Sequence, residues 1–468
     1  MEKFVGREYE IQLLEEAYKK HVSQLFIIQG RRRIGKSTLI EKFIHDKKHL
    51  YFIGGEEKET FQIERFLREA ADALKEPLIN QIRPNNWEEV FNAINPFLLK
   101  NKTVFVLDEF QWMGKASLDL LSTLQRQWDK TWKRSGKIFI ILCGSSVSFM
   151  EHEVLGEKSP LYGRRTGQIK LMPFTPHELA LYFPNRSYRD QALIFFCVGG
   201  VPKYLELFDN KQSVWDVLNK EAFSKDGYLI NEIVFLLKEE LRDPGLYYAI
   251  LSSLIRGGKS LTEISKYVGK ERTSLNFLLS KLQELNFIKK QLSLPGSRTS
   301  IRYRISDPFL KFWFSFILPN KSKIEINYGD YLVDEILGDN WAVYCGFAFQ
   351  DFCLDHASSI AKCLGIKSSY RDGTFLQRAS KKQRGVQIDL VIERNDGITH
   401  IGECKWFNKK IGKGIISEME EKIKLYPNPK KNTISPVIVT TMGATKEYKL
   451  ATDWPVIVLE DIFEAGKK

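Results

Sequence analysis

Apolar residues fall in short runs separated by longer stretches in which they recur every three or four positions. Leu25, Phe26, Ile27 and Ile28 form one such run, and Leu39 to Ile44 follow at helical spacing. Runs at 50–53, 104–107, 138–143 and 168–171 read as four further strands with helical stretches between them. Strands alternating with helices predict a mostly parallel sheet covered on both faces. From Pro244 the pattern changes. An apolar helical stretch at 246–255 is followed by Ser260-Leu261-Thr262-Glu263, a capping box that opens a second helix, and a third helix spans 272–285. Segments 287–292 and 301–305 then pair as a hairpin around a loop holding Pro295, Gly296 and Arg298, which completes the order of a winged helix. The most apolar stretch, 309–318, carries Lys311 and is far shorter than the ~18 residues a membrane span needs, so it reads as a buried helix.

The strand at 25–28 runs into Gly30-Arg31-Arg32-Arg33-Ile34-Gly35-Lys36-Ser37-Thr38, which matches G-x-x-x-x-G-K-[ST] at every fixed position. Glycines let backbone N–H groups close around phosphate oxygens, the following helix N-terminus adds positive potential, and Lys36 would reach the terminal phosphates. The pattern assigns Ser37, rather than Thr38, to Mg²⁺. The run at 104–107 ends in Asp108-Glu109, so one carboxylate would lie at the metal and the next beside an attacking water. Asp108 is the predicted metal residue and Glu109 the predicted base. Gly144-Ser145-Ser146 ends the strand expected beside the loop strand, which makes Ser145 or Ser146 a γ-phosphate sensor. Arg164 and Arg165, just before the fifth strand, could stabilise transition-state charge in cis or across a subunit contact. ATP and Mg²⁺ are the implied ligands.

Two candidate nucleic-acid elements follow. The third winged-helix helix opens with Lys270, Arg272, Thr273, Ser274 and Asn276, and Arg302 and Arg304 alternate with apolar residues in the hairpin, an exposed set suited to phosphates and base edges. Further on, Gly385 to Ile392 is a strand with Asp389 inside it, and Thr399 to Trp406 is a second that carries Glu403 and Lys405. Period two puts Glu403 and Lys405 on one face, projecting together toward Asp389. Two carboxylates that hold Mg²⁺ against a phosphodiester, with a lysine to orient water, make a workable hydrolytic site.

The composition, 43% hydrophobic and 27% charged over 468 residues, is that of an ordinary globular protein with room for about three domains. The net charge of +12 points to an acidic partner, and residues 361–468 carry 20 Lys and Arg against 13 Asp and Glu. Six cysteines at 143, 197, 345, 353, 363 and 404 form no C-x-x-C pair, which suits a cytoplasmic location.

Residues 4–320 resemble the AAA+/STAND-like P-loop ATPases known as archaeal-type ATPases. The resemblance rests on Phe4-Val5-Gly6-Arg7-Glu8, the two nucleotide motifs, Leu161-Tyr162-Gly163-Arg164-Arg165, and Gly199-Gly200-Val201-Pro202-Lys203-Tyr204. It implies that Gly6, Arg7, Gly200 and Pro202 lie near the adenine and the junction with a helical lid, and it strengthens Arg164 and Arg165 as arginine-finger candidates. From Asp307-Pro308-Phe309-Leu310-Lys311-Phe312-Trp313 to the end, the chain resembles the DUF234 domain, which is similar to PD-(D/E)XK nucleases. Two positions depart from that pattern. Gln350, followed by Asp351, stands where the family has a glutamate, and Gln387 stands where an acid often precedes the Ile-Asp pair.

The expected architecture is therefore α/β: a P-loop NTPase core at 1–173, a helical lid at 174–242, a winged helix at 243–306 and a C-terminal PD-(D/E)XK-like domain at 307–468. Two functions fit it. In one, ATP governs a DNA-binding winged helix and a Mg²⁺-dependent DNA nuclease. In the other, ATP drives assembly of a homo-oligomeric signalling switch, and the nuclease-like fold only binds.

Overall fold

Each strand in the first third of the chain ends at the same edge of one sheet. The computed structural model describes residues 4–208, 211–241, 244–296, 301–326, 332–338, 340–380 and 384–467, and it divides into two units, 1–173 and 174–468. In the first unit β1 (Gln24–Gln29), β2 (His49–Ile53), β3 (Thr103–Asp108), β4 (Ile138–Gly144) and β5 (Gly167–Lys170) form a sheet of order β2-β3-β4-β1-β5. All four pairings are parallel. Along β1, β3 and β4 every residue is buried, because successive side chains enter two different cores. Leu25, Ile27, Phe105, Leu107 and Ile140 pack on one face, and Phe26, Ile28, Val104, Val106 and Ile141 on the other. The register pairs Gln29 with Gly144, so the start of the glycine-rich loop lies beside the end of β4 at the carboxyl edge, where open α/β sheets bind ligands.

The second unit begins with helices and ends in a mixed sheet. Helices Pro244–Leu254, Leu261–Val268 and Arg272–Glu284 precede the antiparallel hairpin β6 (Ile288–Leu292) and β7 (Ile301–Ile305). The Ser260–Glu263 capping box forms as expected, with both reciprocal bonds present. Arg298, at the tip of the expected hairpin, and the expected 242/243 boundary lie outside the described residues. The last sheet has the order β12-β11-β10-β9-β8, from β8 (Tyr370–Gln377), β9 (Val386–Arg394), β10 (Ile398–Lys405), β11 (Thr433–Thr440) and β12 (Val456–Val458). β8 to β10 are antiparallel, and β10 to β12 are parallel. Ile388, Ile401 and Ile438 pack on Ile415 and Met419 of helix Gly414–Leu425.

One expectation about the hairpin fails. Arg304 is not exposed for DNA; it is 7% exposed, with Nη2 at 2.6 Å from Asp355 and Nη1 at 3.7 Å from Asp351. Alternation along β7 is lost because helix Asn340–Asp355 covers the face that a free hairpin would turn to solvent. Arg302 remains half-buried, donating to the Gly258 carbonyl and pairing with Glu263. The opening of helix Arg272–Glu284 keeps its expected exposure at Lys270, Arg272, Thr273, Ser274 and Asn276.

Candidate active sites

The loop after β1 wraps the N-terminus of helix Lys36–Ile44, whose cap is Gly35 at φ 89°, a left-handed conformation that glycine adopts without strain. A Cβ at Gly30 would lie 2.8 Å from the Leu171 carbonyl oxygen, so no other residue fits where the loop leaves the sheet. Lys36 is buried, and its Nζ donates to the Arg31 carbonyl at 3.1 Å inside the loop. Arg31 is buried, while Arg32, Arg33 and Thr38 are half-buried. Arg7, from the opening box, is 5% exposed and donates to the carbonyls of Ile34 (3.4 Å) and Met172 (2.8 Å). It thus ties the loop to the end of the fifth strand, and Gly6 precedes it at φ 72°.

Ser37 Oγ donates to Asp108 Oδ2 at 2.9 Å, which brings the two predicted metal residues together from 71 positions apart. Tyr51, which no sequence pattern singles out, donates its hydroxyl to the same oxygen at 2.5 Å. Burial, reinforced by the Asp108 charge, raises the Tyr51 pKa and keeps it a donor. Glu109 sits at φ 48°, a left-handed conformation that costs a non-glycine residue energy and recurs at active sites. Its Oε2 accepts from Ser145 Oγ at 2.6 Å and from the Gln111 amide, and Gln111 also donates to Ser145 Oγ at 3.0 Å. The expected sensor serine therefore holds the expected base. Gln111 escaped the motif reading although it lies two residues beyond Glu109.

A second group of charged side chains lies on β9 and β10. Register pairing of Gly402 with Leu390 puts Asp389 beside Glu403. Asp389 is 4% exposed; it accepts from the Cys404 backbone N–H at 3.1 Å and from the Gln387 amide at 3.3 Å. Burial, then the neighbouring Glu403 charge, pushes the Asp389 carboxyl up to about 6. Lys405 Nζ lies 2.8 Å from Glu403 Oε1, on the shared face that period two required. Burial opposes the Lys405 charge, but Glu403 outweighs it and its pKa rises. Lys422, from helix Gly414–Leu425, reaches Glu403 Oε2 at 2.5 Å and was not foreseen. Asp351, next to the position of the missing glutamate, is paired with Lys311 at 2.5 Å and with Arg304 at 3.7 Å.

Residues 4–208 match the model of an ATPase domain predominantly from Archaea, and residues 313–416 match DUF234, described as archaeal and bacterial proteins of unknown function. An uncharacterized protein of Methanocaldococcus jannaschii is 34% identical over 410 residues, covering 87% of this chain and 88% of that one. The chain belongs to this family of archaeal-type ATPases. An uncharacterized ATP-binding protein of the same organism is 44% identical over 45 residues, 10% of this chain and 76% of that one. Among solved structures, a Walker-type ATPase of Pyrococcus abyssi aligns with TM-score 0.49 and 20% identity over 66% of this chain and 96% of that one. The ORC2 protein of Aeropyrum pernix aligns with TM-score 0.48 and 17% identity over 73% and 98%.

As an archaeal-type ATPase, the chain binds nucleotide. Arg164 is engaged by Asp129, with Nη2 at 2.9 Å from its Oδ2, and by the Pro160 carbonyl, whereas Arg165 is exposed. Pro202 opens a short helix, Pro202–Leu205, in the second unit, after a turn in which a Cβ on Gly200 would strike Phe174 O at 2.1 Å. Among the described residues no helix is long and apolar enough to cross a membrane.

Proposed function

We propose that the chain is an ATP-hydrolysing switch that governs a DNA-binding winged helix at 243–306 and a Mg²⁺-dependent DNA nuclease at 307–468, with residues 174–242 as a helical lid. In the ATPase core, Lys36 leaves the Arg31 carbonyl for the terminal phosphates, and Glu109 polarises water while Ser145 and Gln111 hold it. The hydroxyl of Ser37 and the carboxylate of Asp108, hydrogen-bonded at 2.9 Å, are the hard oxygen donors that Mg²⁺ takes. When bound, Mg²⁺ neutralises charge between the outer phosphates. Tyr51→Phe should raise the Mg²⁺ concentration needed for half-maximal ATPase activity by a few-fold, on the order of one hydrogen bond to a charged group; an unchanged Mg²⁺ titration would remove Tyr51 from the site. Arg165, exposed in its own unit, is the better arginine finger for a homo-oligomer, since Arg164 is held by Asp129. The cysteines, with no disulfide among the described residues, support a cytoplasmic setting.

The observation that carries the nuclease reading is the Glu403–Lys405 pair beside Asp389, whose carboxyl is raised by burial and then by the neighbouring Glu403 charge. Among the described residues no three His, Cys, Asp or Glu gather as a metal cage. Two carboxylates nevertheless fit Mg²⁺, which commonly takes one or two and completes its shell with water and phosphate. Lys405 would orient the attacking water or balance charge on the phosphodiester. Purified protein with Mg²⁺ or Mn²⁺ should nick DNA, and the rate should change with ATP; absence of cleavage on every DNA form would end this half of the proposal. The winged helix predicts that Arg272→Ala weakens duplex binding and lowers the slope of log affinity against log salt by about one. Binding and slope that match the parent would remove the helix from the interface.

A second reading has its own support. Lys422 on Glu403 and the amides of Gln350 and Gln387 favour a nuclease-like fold that binds without cutting, with ATP driving assembly. It predicts nucleotide-dependent oligomers that survive Lys405→Ala, and a monomer in every nucleotide state would exclude it.

A further inference from the structure

Helix Asn340–Asp355 buries Tyr344, Ala348 and Phe352 but leaves Val343 and Phe347 60% and 54% exposed. Val343, Phe347 and Gln350 recur every three to four residues and line one large cavity of about 1510 Å³, which Asp389 also lines. The same cavity runs to the winged-helix side, where it is lined by Arg256, Lys259 and Tyr267. Arg256 is exposed, Tyr267 is 59% exposed, and Lys259 Nζ lies 5.8 Å from the centre of the Tyr267 ring. This volume exceeds the ~300–1,000 Å³ of a small-molecule pocket and suits a segment of polymer.

We infer that this cavity is the track of an unpaired DNA strand, with Phe347 and Tyr267 as stacking platforms and Arg256 and Lys259 as phosphate contacts. The inference rests on the nuclease reading of Asp389, Glu403 and Lys405 and names its substrate class. Exposed aromatic faces interleaved with cations are what single strands require, because every base carries a stackable face and every linkage an anion. In a duplex those faces are already taken by neighbouring base pairs, so the two rings would have nothing to stack on. The lining beside Asp389 fits the same ligand. Gln350 and Gln387 line it with amides, which can donate to a phosphate oxygen where carboxylates would repel it. Of the cavity's other acids, Asp351 is neutralised by Lys311 and Arg304, and Glu335 is paired with Lys323 at 2.7 Å.

The test is fluorescence anisotropy on the full chain, with a short labelled single strand and with the same sequence as a blunt duplex, in EDTA so that nothing is cut. The single strand should bind more tightly through the track, and Phe347→Ala and Tyr267→Ala should each weaken it on the order of tenfold, while duplex affinity stays put. Phe347→Trp should restore single-strand binding, which a merely misfolded helix would not. Equal affinity for both DNA forms, or full affinity in both alanine variants, overturns the track. Its failure is separable from that of the nuclease reading. Lys405-dependent nicking without ring-dependent strand binding removes the track alone, and ring-dependent binding without metal-dependent cleavage removes the nuclease alone.

Discussion

Glu109→Gln is expected to lower ATP turnover about 10²–10³-fold while leaving nucleotide affinity within a few-fold of the parent. Glutamine keeps the length and one acceptor oxygen of the side chain, so the bonds from Ser145 and Gln111 can persist and the left-handed backbone at position 109 need not move. What disappears is the negative charge that draws a proton from water. The pair of measurements is phosphate release at saturating ATP and equilibrium binding of a fluorescent nucleotide. Unchanged turnover would show that another group is the base. Lys36→Ala should do the opposite, removing affinity first, because Lys36 is buried in the loop and under the proposed function its charge would face phosphate in either state of the reaction.

Asp389→Asn should abolish DNA cleavage, a loss on the order of 10³-fold, and at the same time raise the melting temperature at pH 7.5 by a few degrees. The two effects share one cause. In the folded chain the carboxyl is raised from the ordinary 3.8 to about 6 by burial and by Glu403, so at neutral pH an ionised Asp389 is held where the unfolded chain would release it to water. A raised folded pKa favours folding below the unfolded value, and that gain is lost as pH rises from about 4 through 6. Asparagine removes this dependence and keeps an acceptor for the Cys404 N–H. Glu403→Gln should instead destabilise, since it takes the carboxylate partner from Lys422 and the nearer one from Lys405, which keeps only Glu418 at 3.7 Å, in a half-buried place. Thermal melts of both variants at pH 4.5 and 7.5, beside a nicking assay, check the signs. A lower melting temperature for Asp389→Asn at pH 7.5 would refute the argument.

Several elements were legible because their information is local. The glycine-rich loop, the acid pair at the end of β3 and the Glu403–Lys405 spacing each occupy a few contiguous residues, and their geometry follows from the period of one element. Adjacency of β4 and β1 was also foreseen, and with it the approach of Ser145 to the nucleotide edge. Tyr51 gave no such signal. It reaches Asp108 only because β2 and β3 pair in parallel with Tyr51 opposite Val106. Arg304 misled for the mirrored reason: alternation along β7 is a pattern of one hairpin, and it holds no information about the helix that arrives from Asn340 with Asp351 and Asp355.

The sequence alone determined the nucleotide chemistry, the parallel sheet beneath it and the three charged residues on β9 and β10. Tertiary structure decided which partners the charged side chains meet. It neutralised Asp351, brought Lys422 onto Glu403, buried Arg304 and left Phe347 open to a cavity. The physical reason is that periodicity specifies which face of an element is apolar, whereas the partner a charged side chain meets is set by packing between segments tens of residues apart. A buried charge must find that partner or lose its ionisation.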